Sequence, residues 1–230
     1  MDPLNPTQAR VLGCLLEKSL ATPQQYPLSE AALITACNQA TNRFPVVEYD
    51  LTDLRPALIG LRDRSLAKRT RRPGERVEKH AHLVDQTLGL DAGAMALIAL
   101  LLLRGPQTSG ELRSRATRMS RFGEVSEVEM VLRRLAEQGL AEQLERRPGE
   151  KQVRWRHLLS GREAPVEIAP EAPAPTVGAG TGGSSVPTVR EAHDRLEALT
   201  ARVDALEGLA ARVARLEREL GLAGPPADEG

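Results

Sequence analysis

The pentapeptide Arg71-Arg72-Pro73-Gly74-Glu75 recurs as Arg146-Arg147-Pro148-Gly149-Glu150, 75 positions further along the chain. Cations gather about both copies: Arg71, Arg72 and Arg76 at the first, and Arg146, Arg147, Lys151, Arg154 and Arg156 at the second. Arg113, Arg115 and Arg118 form a third group. Guanidinium groups in such number suit non-covalent contact with phosphates or carboxylates. A separate polar cluster, Asn38, Gln39, Asn42 and Arg43, offers amides and one guanidinium. Its favoured role is to cap a helix and close turns through side-chain-to-backbone bonds. The alternative is that Asn42 and Arg43 present a site for a polar ligand or phosphate.

Residue types for covalent or metal chemistry are poorly placed. His80-x-His82 would put two imidazoles on one strand face with no third ligand evident, so no metal is expected. Cys14 sits among Leu12, Leu15 and Leu16 with no base at hand and reads as core packing. Neither a phosphate-binding glycine loop nor a nucleophile elbow is present. No catalytic residue and no cofactor are expected, and the chain reads as non-enzymatic.

The arginines need elements to hold them. Asn5-Pro6-Thr7-Gln8 signals a helix start, with Ala9, Leu12, Leu15 and Leu16 at helical spacing behind it. Leu28-Ser29 opens a second helix that ends near Cys37-Asn38. A third starts around Thr52 or Asp53, with Leu54, Leu58 and Leu61 inward. Two extended runs, 66–70 and 76–83, then flank the first pentapeptide, whose Pro and Gly supply turn geometry. The order repeats. Asp91 caps a helix to Arg104, Thr108-x-x-Glu111 is a capping box, and Ser126-x-x-Glu129 is another. Runs at 140–145 and 151–159 flank the second pentapeptide. Leu54, Leu58 and Leu61 lie 74 residues before Val128, Leu132 and Leu135, so the register repeats with the order.

Three helices and a hairpin, twice, predict two tandem winged-helix domains over 1–86 and 87–161. The fold class is mainly α with small β-wings, an α+β chain. The segment Met95–Leu103 has no polar residue and is expected to be covered all round, between the domains, in a subunit interface or simply as a core helix. Residues 162–188 read as a flexible Pro/Gly/Ala linker. Over 189–222, Val189, Ala192, Leu196, Leu199, Val203 and Leu206 keep 3-4 spacing, a coiled-coil seam expected to form a homodimer. Residues 223–230 are read as a disordered tail.

Composition limits the partners. Hydrophobic residues make up 41% of the chain, but there are only one Trp, two Tyr and two Phe. That scarcity weighs against base stacking on single strands. Net charge is zero, with 24 basic against 19 acidic residues in 1–160 and 7 against 12 beyond. The basic bias is mild. The opening residues carry no apolar signal stretch and no run is long enough to span a membrane, so a cytoplasmic protein with no membrane partner is expected.

Several segments resemble one known family: "GCLLEK" (Gly13–Lys18), "TPQQYPLS" (Thr22–Ser29), "TACNQATNRFPV" (Thr35–Val46), "LLLRG" (Leu101–Gly105) and "TSGELRSRA" (Thr108–Ala116). They are similar to the YceH-like family of uncharacterised bacterial proteins. The resemblance implies a tandem winged-helix fold over about residues 4–160 and carries no biochemical activity with it. The leading expectation is contact with double-stranded DNA through the wing arginines. The alternative is a protein–protein adaptor, because the expected starts of the third helices are acidic: Glu48, Asp50 and Asp53, then Glu124, Glu127 and Glu129.

Overall fold

The computed structural model describes residues 2–71, 77–146 and 152–162. Most of each pentapeptide lies outside that range, as do the linker, coiled coil and tail expected beyond 162. The described residues form a mixed α+β structure with seven α-helices and two small antiparallel sheets. In chain order these are α1 (Pro6–Ala21), β1 (Leu28–Ser29), α2 (Glu30–Cys37), α3 (Leu51–Asp63), β2 (Ala67–Thr70), β3 (Lys79–His82) and α4 (Val84–Leu88). Then come α5 (Ala92–Arg104), α6 (Ser109–Ala116), α7 (Val125–Glu137), β4 (Ala141–Gln143) and β5 (Trp155–His157).

Each half carries an antiparallel hairpin, in a three-stranded sheet in the first and a two-stranded sheet in the second. In the first hairpin Ala67 faces His82, and in the second Ala141 faces His157. Each hairpin also receives a third contact from the residue before a helix cap. Leu28 pairs with His80 just ahead of the Ser29 cap of α2, and Gln107 bridges Trp155 just ahead of the Thr108 cap of α6.

Local chemistry explains most helix ends. Asn5 and Gln8 close a reciprocal capping box on α1, and Thr108 and Glu111 close one on α6. The third helices depart from expectation. The Asp50 side chain accepts from the Thr52 and Asp53 N–H groups, so α3 opens at Leu51. Ser126 is not a cap: α7 opens at Val125, and Glu127 reaches back to accept from the Gly123 N–H at 2.9 Å. The short α4 was not anticipated. It ends at Gly89, whose φ of +66° is a left-handed conformation that glycine adopts without strain.

Helix α5 lies at the centre. Every residue from Ala94 to Leu103 is buried. It packs against α1 of the first half and against α6, α7 and β5 of the second. The crossing with α1 is close because of Gly13: a Cβ there would stand 2.8 Å from Leu103 Cγ. The Leu4 N–H donates to Leu159 O and the Phe44 N–H to Leu103 O, two further ties between the halves. One hydrophobic cluster runs through both, from Leu4 to Leu159, and they form a single compact unit. No helix among the described residues is long and apolar enough to cross a membrane.

Candidate functional site

The polar cluster after α2 is built around the helix's C-terminal carbonyls, which have no partner within the helix. Arg43 donates Nε–H to Ala36 O at 3.0 Å. Nη1 donates to Glu17 Oε1 and to Asn42 O, and Nη2 to Glu17 Oε2 at 2.6 Å and to Gln39 Oε1. All five guanidinium donors are thus engaged and the side chain is fully buried. Burial alone would lower the Arg43 pKa, but the Glu17 carboxylate outweighs it and holds the guanidinium above its ordinary value. Arg43 therefore has no donor left for a phosphate.

The neighbouring amides are also committed. Asn38 accepts from the Tyr49 N–H and donates to Tyr49 O, both at 2.8 Å, clipping the loop 39–49 shut. Asn42 is left-handed with φ +59° and its Oδ1 accepts from Arg104 of α5. A second arginine caps α2 as well: Arg10 donates to Cys37 O at 2.9 Å and to Pro45 O at 2.5 Å. Burial lowers its pKa. Sequence reading missed Arg10, since a polar residue on an amphipathic helix gives no sign of being 4% exposed.

Of the eleven cations expected to contact DNA, the seven described ones differ in their surroundings. Arg72, Arg76, Arg147 and Lys151 lie outside the described residues. Arg71, Arg118 and Arg146 are exposed. Arg115 and Arg154 converge on Glu111, at 3.2 and 2.8 Å. Burial pushes the Glu111 carboxyl up, but the Thr108 N–H and these two guanidinium groups bring it below its usual range. Arg156 pairs with Glu142 at 2.5 Å. Arg113 donates to Phe122 O and, at 2.6 Å, to Gly123 O, holding the loop into α7.

The outer faces of α3 and α7 have a different character. Leu51 and Ile59 are exposed on α3, Ile59 by 49%, and Val125 and Met130 on α7, Met130 by 68%. Carboxylates stand at both helix starts. Asp50 is held below the ordinary carboxylate range by the Thr52 hydroxyl and the N–H groups of Thr52 and Asp53. On α7, Met130 sits in a shallow groove of about 550 Å³ with Ser126, Glu129, Arg133, Arg134 and Glu137. The acidic starts were legible in the sequence. The exposed apolar residues were not, because periodicity assigns Leu, Ile and Met to cores by default.

The two strand histidines of the first half and both cysteines face inward. His80 is buried, and the His82 ring meets Ser19 Oγ at 3.0 Å. Among the described residues no group of three or more His, Cys, Asp or Glu could hold a metal ion. Cys14 and Cys37 are buried free thiols, and hydrogen bonding to Cys14 followed by burial pushes the Cys37 thiol far up.

A family described as protein of unknown function, DUF480, matches residues 4–150, and the chain belongs to it. The motifs that suggested the YceH-like family point to this same group. A UPF0502 protein of Pelobacter propionicus is 51% identical over 160 residues, covering 69% of this chain and 73% of the relative. One from Aeromonas hydrophila is 41% identical over 223 residues, covering 93% of this chain and 98% of its own. That similarity reaches well past residue 162.

Proposed function

We propose that this is a non-enzymatic binding protein of two tandem winged-helix modules whose third helices, α3 and α7, engage a protein partner. The observation that carries this reading is the paired exposure of Leu51 and Ile59 on α3 and of Val125 and Met130 on α7, beside carboxylates. In a helix-turn-helix the start of this helix would enter the major groove. Carboxylates there repel phosphates and suit only the amino group of cytosine. Exposed apolar residues on helices with acidic starts and mixed charges further along suit a partner segment that is apolar, with basic groups toward those starts. A photo-crosslinking residue at position 130 or 59 is expected to trap one discrete partner in cells. Ile59→Glu combined with Met130→Glu should abolish its binding. A partner that binds the double variant undiminished, or the absence of any discrete crosslink, overturns the reading.

A second reading keeps double-stranded DNA as the partner, held by phosphate contacts from the wings. The exposed Arg71, Arg118 and Arg146 favour it. An anisotropy titration should then show an affinity that falls steeply with salt and weakens on any sequence with Arg118→Glu and Arg146→Glu. No binding at low salt removes it. We further propose a homodimer through the heptad seam of 189–222, to be checked by light scattering before and after deleting that segment. The buried free thiols support a reducing, cytoplasmic setting.

A further inference from the structure

Between the start of α1, the loop 44–49 and the end of α5 lies a cleft of about 490 Å³, within the size range of small-molecule sites. Its walls are mainly apolar, with Ala9, Phe44, Tyr49 and Leu102 among them. The charged residues that line it are Arg10 and Arg156, joined by His157, and no carboxylate lines it.

Arg10 marks the cleft as chemically incomplete. Arg10 and Arg43 cap the same helix and are both almost wholly buried, at 4% and 5% exposed. Arg43 has Glu17 as its counter-ion. Arg10 has two carbonyl oxygens, and no carboxylate among the described residues pairs with it. A buried cation compensated only by carbonyl dipoles keeps an unmet demand for negative charge.

We propose that the cleft binds a small organic monoanion, a carboxylate on an apolar body, with the carboxylate on Arg10 and the body against Phe44 and Leu102. A charge-assisted bond from guanidinium to carboxylate is stronger than a neutral one, and mainly apolar walls strengthen it further. The site does not involve the outer faces of α3 and α7, so its test stands apart from that of the partner reading.

The test uses the full chain and the probes 4-phenylbutyrate and 4-phenylbutyramide, which differ only in charge and donor pattern. Calorimetry should give saturable binding of the acid, at least about tenfold tighter than the amide, the worth of one charge-assisted bond. In ¹⁵N spectra the Arg10 Nε–H signal should shift with the acid. Arg10→Met should remove the preference for the acid. Should that variant fail to fold, Val47→Trp, which narrows the cleft and leaves Arg10 in place, should abolish binding of both probes. Equal binding of acid and amide by the wild type overturns the proposal, as does acid binding that survives Val47→Trp. The absence of saturable acid binding at about 10 mM, close to the weakest affinity that calorimetry reads, also overturns it.

Discussion

Arg43 shows how one side chain can join three segments. It ties α2 to α1 through Glu17 and closes the loop that follows through Asn42 and Gln39. Removing it takes the Arg43 donor from the Ala36 carbonyl and leaves the Glu17 carboxylate with only the looser Lys18 ion pair at 3.6 Å. Arg43→Met should destabilise the protein by about 3 kcal/mol in a urea melt, and Arg43→Lys should recover little, because an ammonium cannot reproduce the planar fork. The sequence showed the 38–43 cluster and its capping chemistry. It did not show the counter-ion, because Glu17 lies 26 residues upstream and meets Arg43 only once α1 and α2 cross. His157 gives a prediction in pH. Burial, followed by the charge of Arg156, pushes its pKa down to about 4, whereas an unfolded histidine titrates near 6.5. Between those values the unfolded chain takes up a proton that the folded one refuses, so stability falls as pH drops through that window and is full above it. The loss is on the order of 3 kcal/mol. His80 and His82, also lowered by burial, act in the same direction. Denaturation midpoints measured from pH 7 to 4.5 should fall steeply for the wild type and less so for His157→Phe.

At the scale of elements, caps and stripes were the legible part. Asn5, Ser29, Asp91 and Thr108 each accept a backbone N–H where the sequence placed a helix start. Such signals are local, so one stretch of chain contains them whole. The start of α7 was misplaced because Ser126-x-x-Glu129 imitates a capping box while Glu127 in fact reaches back to Gly123. The third contact to each hairpin was invisible, since two-residue β1 and the Gln107 bridge have no period of their own. The α1–α5 crossing was half legible: an apolar α5 had to be covered, but only the close approach at Gly13 identifies its cover. Gly13→Ala should crowd Leu102 and Leu103. Overpacking of about 1–3 kcal/mol competes with the roughly 1 kcal/mol that alanine gains as a helix former. A net loss of order 1 kcal/mol in thermal or urea melts is expected.

For the whole molecule, the shared core decides how it unfolds. One hydrophobic cluster spans both halves, so neither has a private core to survive on. Trp155, the sole tryptophan, is buried in the second half and bonded both ways to Gln107, which makes its fluorescence a report on that half alone. Far-ultraviolet dichroism and Trp155 emission should trace one coincident urea transition, and a fragment of residues 1–90 should fail to fold cooperatively. Two separated transitions would show that the halves are independent after all.

The sheathing of α5 also limits what can be trimmed from the protein. Its apolar circumference is walled by α1 on one side and by α6, α7 and β5 on the other. Cutting away either flank would strip a wall and leave its leucines wet. A shortened version must keep both walls or exchange those leucines for polar residues.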